Sequence, residues 1–300
     1  MRTGVVLMTY GAPAGEEDLP RYLAAVRGGK AADPELVSEM GRRYSAIGGS
    51  PLIARTEDQA RVLEEELGDA YVTAAGMRFS APSIADAAAA VVARGAQRIV
   101  GICMSPQWSP LLMSGYEREL HAHGDRLDVP VVMAHAWHRE TRFVAALADR
   151  VRESLDAIPG AFVLLTAHSL PKRVFDAEPG YIAQLRETGD AVAAAAGLAA
   201  EHWRWAYQSA GHTQEEWLRP DLVELFPEIV VSGARDILVV PVQFLADHLE
   251  VLYDLDIAAA GQATAAGLRY HRIAMPNAQP EFIRALVDVA RTTEASLLGV

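Results

Sequence analysis

The sequence predicts an α/β protein of two similar lobes, each with a mainly parallel four-stranded sheet flanked by helices. Three observations lead there. Short apolar runs rich in Val, Ile and Leu alternate with longer segments of helical period, as expected of strands buried on both faces of a parallel sheet and joined by helical crossovers. About four such runs precede residue 155 and about four follow it. Between them lies Ala157-Ile158-Pro159-Gly160, a turn signal. It sets an N-terminal lobe at 1–157 and a C-terminal lobe at 158–300, with the last helix allowed to pack back on the first lobe.

The first run, Val5–Tyr10, leads directly into Gly11-Ala12-Pro13. It lacks the long apolar region and small-residue cleavage site of a signal peptide, so it reads as a buried strand. Ile53–Leu67 reads as a helix, with Ala54, Ala60, Val62, Leu63 and Leu67 set among charges, and the strand Ala70–Gly76 follows. Pro82–Arg94 is alanine-rich, and Pro82 suits a first helical turn. The strand Arg98–Met104, the strand Pro130–His135 and the helix Arg142–Leu155 complete the first lobe. The second lobe is expected to hold strands Ala161–His168, Trp203–Gln208, Asp236–Val242 and Leu268–Ile273, with helices Tyr181–Ala196 and Pro280–Glu294. No fixed-period repeat links the halves, so their likeness is architectural.

Composition removes several classes of function. Hydrophobic residues are 51% and charged residues 22% of the 300, enough to bury a core. The net charge of −12 repels phosphate backbones, so no nucleic-acid partner is expected. No apolar stretch approaches the roughly 18 residues of a membrane span, so no integral membrane segment is expected and the location is expected to be cytoplasmic. The single cysteine, Cys103, rules out a disulfide or an all-cysteine iron–sulfur site within this chain. There is no phosphate loop at Gly28-Gly29-Lys30 or Gly48-Gly49-Ser50-Pro51, no G-x-S-x-G and no H-E-x-x-H.

Ligands of such sheets sit beyond the carboxyl ends of the strands, and candidate chemistry gathers there. Tyr10 closes the first strand, where a phenol can stack on or ligate something; a core-rim tyrosine is the plainer alternative. His168 follows Phe162-Val163-Leu164-Leu165; imidazole accepts a proton near neutral pH or ligates a borderline metal, or is merely tied to backbone carbonyls. In Asp247-His248-Leu249-Glu250-Val251-Leu252-Tyr253-Asp254-Leu255-Asp256, Glu250 and Asp254 are four apart and share a helix face, at a cost of a few tenths of a kcal/mol if exposed. A visiting cation would offset that repulsion. An acidic helix start accounts for Asp247 but not for Asp254 or Asp256. His135 and His138 have no evident third ligand partner. Trp108 and Trp217 stand in loops; each alone suits ordinary packing, and together with Tyr10 and Tyr116 they suit a flat aromatic ligand.

These segments resemble the ferrochelatase family, most nearly the soluble coproporphyrin ferrochelatases of Gram-positive-type bacteria. The matching stretches are Leu7–Pro13, Arg43–Leu52, Ala167-His168-Ser169-Leu170-Pro171, Tyr207-Gln208-Ser209, Trp217–Asp221, Pro241–Asp254 and Met275-Pro276-Asn277-Ala278. They span nearly the whole chain, and the His-Ser-Leu-Pro and Asp-His-Leu-Glu-x-Leu-Tyr pair is highly specific.

The resemblance implies two Rossmann-like lobes with a cleft between them, in which Fe(II) as substrate is inserted into coproporphyrin III to form coproheme. The alternatives are a protoporphyrin ferrochelatase, another tetrapyrrole chelatase, or a non-catalytic tetrapyrrole carrier. It further implies that His168 and Glu250 handle metal and protons on one porphyrin face, with Asp254 and then Asp256 continuing an acidic approach path. Tyr10 would be axial to the product iron on the opposite face. Arg27, Arg43, Tyr44, Ser50 and Tyr116 would hold the macrocycle and its carboxylates, with Trp217 among the substrate-binding residues. The [2Fe–2S] cluster of some members is not expected with Cys103 alone. Partners are expected to be coproporphyrin III and ferrous iron, and the chain a monomer with a transient partner for heme handover. Gly28, Phe79, Gln107 and Ala258 depart from residues frequent in the family.

Overall fold

The computed structural model describes residues 2–211 and 215–298. The first half runs β1 (Arg2–Thr9), α1 (Leu19–Val26), α2 (Pro34–Ala46), α3 (Leu52–Leu67), β2 (Tyr71–Met77), α4 (Ile84–Ala93), β3 (Ala96–Cys103), α5 (Pro110–Leu127), β4 (Val131–Ala134) and α6 (Thr141–Ala157). The second half runs β5 (Phe162–His168), α7 (Lys172–Ala177), α8 (Pro179–Ala196), β6 (Trp203–Gln208), α9 (Leu222–Val231) and β7 (Asp236–Pro241). A π-helix (Glu250–Ala259), α10 (Ala260–Ala265), β8 (Arg269–Arg272) and α11 (Pro280–Leu298) complete it.

Two four-stranded sheets result, ordered β2-β1-β3-β4 and β6-β5-β7-β8, and their pairings are parallel. The central strands are apolar on both faces: Val5, Val6, Leu7 and Met8 of β1 and Leu238, Val239 and Val240 of β7 are fully buried. Both sheets reverse direction of growth at their first strand, so the β1/β3 and β5/β7 gaps are switch points where a crevice opens beyond the strand ends. Tyr10 emerges at the first gap, and His168 with Gln243 at the second.

All eight expected strands are present, shifted by at most three residues at their ends. Five helices are also where apolar periodicity places them. Caps and prolines start several that periodicity did not single out. Asp33 accepts the N–H of Glu35 ahead of Pro34 in α2. Ser109 does the same for Leu112 ahead of Pro110 in α5, and Asp221 with Glu224 forms a capping box on α9.

The last helix, α11, packs on α3, α6, β3 and β4 of the first half. Phe282 is fully buried with its ring 6.4 Å from Phe143 and 6.5 Å from Trp137. Farther along, Glu294 accepts hydrogen bonds from Thr3 and Tyr71 and lies 3.7 Å from Arg98. The segment after β8 thereby closes over the sheet with which the chain began. Replacing Phe282 with Ala should destabilise the protein by about 3–5 kcal/mol, read as a lower urea midpoint at unchanged slope.

Candidate active site

His168 is the final residue of β5. Its backbone N–H donates to Gln243 Oε1 at 2.9 Å, and its ring Nδ1 hydrogen-bonds the Ser169 carbonyl. A carbonyl only accepts, so Nδ1 carries the proton and Nε2 keeps its lone pair. Ser169 is itself fixed, its N–H on the Gln208 carbonyl at 2.7 Å and its hydroxyl on the Leu218 carbonyl at 2.9 Å. Nε2 faces Glu250 Oε1 across 3.7 Å.

Glu250 opens the π-helix. Its other oxygen lies 3.6 Å from His248 Nε2. His248 Nδ1 donates to the Ala246 carbonyl at 2.9 Å, and its ring stands edge-on to Phe244, 4.5 Å between centroids. Loss of water around Glu250 works against its charge, but His168 and His248 outweigh that and hold its carboxyl at about 2. Burial also works against a charge on His248, yet the hydrogen bond to Glu250 and its negative charge raise that imidazole above its ordinary value.

Asp254 shares this environment. Burial and repulsion from Glu250 raise its pKa, and contacts with Ser209 and Arg43 only partly offset them. Arg43 reaches it from α2, in the other half, at 3.3 Å. The same guanidinium pairs with Glu39 at 2.8 Å and stands 5.2 Å from the centre of the Tyr253 ring. Asp256 does not continue the row. It pairs with Arg272 at 2.7 and 2.8 Å, because two residues past Asp254 the helix has turned it toward β8.

The opposite wall is aromatic. Tyr10 is 45% exposed with its ring edge-on to Phe79 at 4.6 Å. Burial of its hydroxyl raises its pKa, Arg78 opposes this and the charge on Glu250, from the other half, adds to it. Tyr22 donates to the Gly11 carbonyl at 3.1 Å and hydrogen-bonds Tyr44, and burial pushes Tyr44 up to about 12. Arg78 lies 5.0 Å from the ring centres of both Phe79 and Tyr116, passing over Gly115, where a Cβ would collide with it. Tyr44 and Ser50 line a cavity of about 540 Å³ with Pro13, Leu19 and Gly49; the Ser50 hydroxyl accepts the Leu52 N–H at 3.4 Å.

The geometry thus gathers His168, Glu250, Asp254, Arg43, Tyr10 and Tyr44. Tyr116 sits behind Arg78. Arg27 is exposed at the end of α1, and Trp217 is bridged through its backbone to Pro171 with its ring against Gly211. His248, Gln243, Arg78 and Tyr22 were not singled out as site residues from the sequence. The first two lie inside the 241–254 stretch that carried the resemblance; Arg78 and Tyr22 have no local pattern, since their contacts are made only in the folded chain. Among the described residues no three or more His, Cys, Asp or Glu side chains form a metal-holding group. Burial pushes the Cys103 thiol up to about 12.

Residues 2–294 match the family model described as Ferrochelatase. The chain belongs to the ferrochelatase family. It is 35% identical to the coproporphyrin III ferrochelatase of Bacillus subtilis (strain 168), over 96% of each chain. It is 34% identical to the ferrochelatase of Herpetosiphon aurantiacus, over 96% of this chain and 98% of that one. Among solved structures, SirB from Bacillus subtilis with Fe3+ superposes with a TM-score of 0.61 over 100% of this chain and 98% of its own, at 13% identity, which shows a shared fold. In this ferrochelatase no helix of the described residues is long and apolar enough to cross a membrane.

Because Glu250 is what raises His248, Glu250→Gln should lower the His248 pKa, measured by NMR titration of the imidazole. The sign for stability follows from the raised value. The stabilisation from this contact is full below the ordinary histidine pKa and is lost as pH rises through the folded-state value. Urea unfolding of wild type and Glu250→Gln should therefore differ most on the acid side of neutrality and converge above it.

Proposed function

We propose that this ferrochelatase inserts Fe(II) into coproporphyrin III to give coproheme. The observation that carries the reading is the lone-pair nitrogen of His168 facing the Glu250 carboxylate at 3.7 Å, across from Tyr10. The relatives named coproporphyrin III ferrochelatase, at about 35% identity over most of the chain, support the choice of porphyrin.

Insertion exchanges one Fe²⁺ for two pyrrole N–H protons, so the site must receive a cation and dispose of two protons. His168 Nε2 accepts the pyrrole protons one at a time, releasing the first to solvent before taking the second, since its other nitrogen is committed to Ser169. Glu250, whose carboxyl the neighbouring imidazoles hold at about 2, serves beside it as an anion that stabilises the imidazolium and attracts the ferrous ion. Asp254, four residues on, extends that attraction toward the approach side. Tyr10, kept neutral by its raised pKa, offers a phenol oxygen on the opposite macrocycle face. A four-carboxylate substrate approaching a chain of net charge −12 needs local guanidinium forks, and Arg27 and Arg43 supply them. One chain builds both walls of this site, in keeping with a cytoplasmic monomer that passes coproheme to a transient partner.

The test is anaerobic assay of the purified chain with Fe(II) and coproporphyrin III, following loss of porphyrin fluorescence over many turnovers. His168→Ala and Glu250→Ala should lower kcat by roughly 10²–10⁴-fold; full rates in both would overturn their roles. Tight binding that stops after one equivalent would identify a carrier instead, and equal turnover of protoporphyrin would overturn the substrate assignment. Arg43→Ala should raise the coproporphyrin KM, and the size of that effect should shrink as salt is added.

A further inference from the structure

Gln243 lies just past β7, at the switch point of the second sheet. Its amide oxygen accepts the His168 N–H at 2.9 Å, and its amide nitrogen donates to the Tyr181 hydroxyl at 2.9 Å. Tyr181, on α8, is 2% exposed, and α8 is bonded to the first half through Gln184, which exchanges two hydrogen bonds with the Trp108 backbone at 2.7 and 3.1 Å. The Gln107 amide donates to Thr188 Oγ1 at 2.8 Å, and the Thr188 hydroxyl donates to the Gln184 carbonyl at 2.8 Å.

The orientation of the Gln243 amide is forced. A peptide N–H only donates and a carbonyl only accepts. The His168 N–H turns the Gln243 oxygen toward the strand and its nitrogen toward Tyr181. The contacts run from the strand end that bears His168 to α8, and from α8 to the other half of the molecule.

We propose that Gln243 is a positioning residue for metal insertion: through Tyr181 and α8 it ties the His168 peptide to the first half, and so sets where Nε2 stands relative to Glu250 and the macrocycle. The His168 ring is bonded through Nδ1 to the next carbonyl of its own backbone, so the ring follows the peptide, and displacement of the peptide displaces Nε2. The proposal rests on the reading of His168 as proton acceptor.

Three variants of the 300-residue chain test it, each assayed for steady-state Fe(II) insertion into coproporphyrin III. Gln243→Leu removes both hydrogen bonds at similar volume, and kcat should fall on the order of 10²-fold, as for a misplacement of about 1 Å, with the porphyrin KM within about twofold of wild type. Gln243→Glu keeps an acceptor for the His168 N–H, and Tyr181 can turn its hydroxyl to the second carboxylate oxygen, so most of kcat should return. Tyr181→Phe should lower kcat less, and its effect should vanish in the Gln243→Leu background. Wild-type kcat in folded Gln243→Leu, a loss carried by KM alone, no recovery in Gln243→Glu, or full additivity with Tyr181→Phe would each overturn the proposal. Should Gln243→Leu fail to fold, wild-type kcat in Tyr181→Phe overturns it by itself. His168→Ala separates the two ideas: full activity there removes the functional reading, whereas an inactive His168→Ala beside a wild-type Gln243→Leu removes only the positioning role.

Discussion

Two carboxylates four residues apart on one helix, Glu250 and Asp254, would repel each other in a poorly hydrated crevice without compensating partners nearby. The fold brings them from three directions. His168 arrives at the end of β5, His248 from the turn before the π-helix, and Arg43 from α2 across the crevice. The consequences differ for the two acids. Glu250, between two imidazoles, stays ionised at very low pH, while Asp254, with a weaker share of positive charge, is raised. Neighbouring groups of one chemical type are thereby given separate tasks by their surroundings.

Keeping those partners in place requires that the halves hold still relative to each other, and polar, directional ties supplement the apolar core they share. Trp108 and Gln184 exchange two hydrogen bonds, at 2.7 and 3.1 Å. Glu178 accepts from Ser109 and from the Leu111 N–H, putting a negative charge on the positive end of α5. Gln59 donates to the carbonyls of Leu245 and Asn277 at 3.2 and 3.0 Å. The α11 helix adds an apolar tie, carrying the end of the chain back to the first sheet. Hydrogen bonds of this kind contribute modestly one by one, but they specify a geometry, which a site that must seat a flat ring between opposed walls requires.

The eight strands were legible because strands buried on both faces leave uninterrupted apolar runs. Helices were legible only where one face is buried against a sheet. α2 has no fully buried residue, its short apolar face of Val37, Met40 and Tyr44 being only partly covered, and α5 is interrupted by Gly115 and Gly124, which make room for Arg78 and Val131. The segment 250–259 has helical composition, but its i→i+5 bonding belongs to a rare class often found at functional sites, and no local preference announces it. Its consequences were read unevenly: the shared face of Glu250 and Asp254 is observed, whereas Asp256 pairs with Arg272 instead of extending the row.

The sequence by itself determined the α/β class, the strand positions and the family resemblance, because each is written in short stretches whose pattern survives without contacts. His168 and Glu250 stood out for the same reason, each inside a local motif at a strand end. Only the tertiary structure decided that they meet, that Nε2 rather than Nδ1 is left with a lone pair, and that His248 joins them. It alone decided that Gln243 connects His168 to the other half. Those properties depend on groups tens to hundreds of residues apart in the chain, on the water excluded between them, and on the direction in which each hydrogen bond must run.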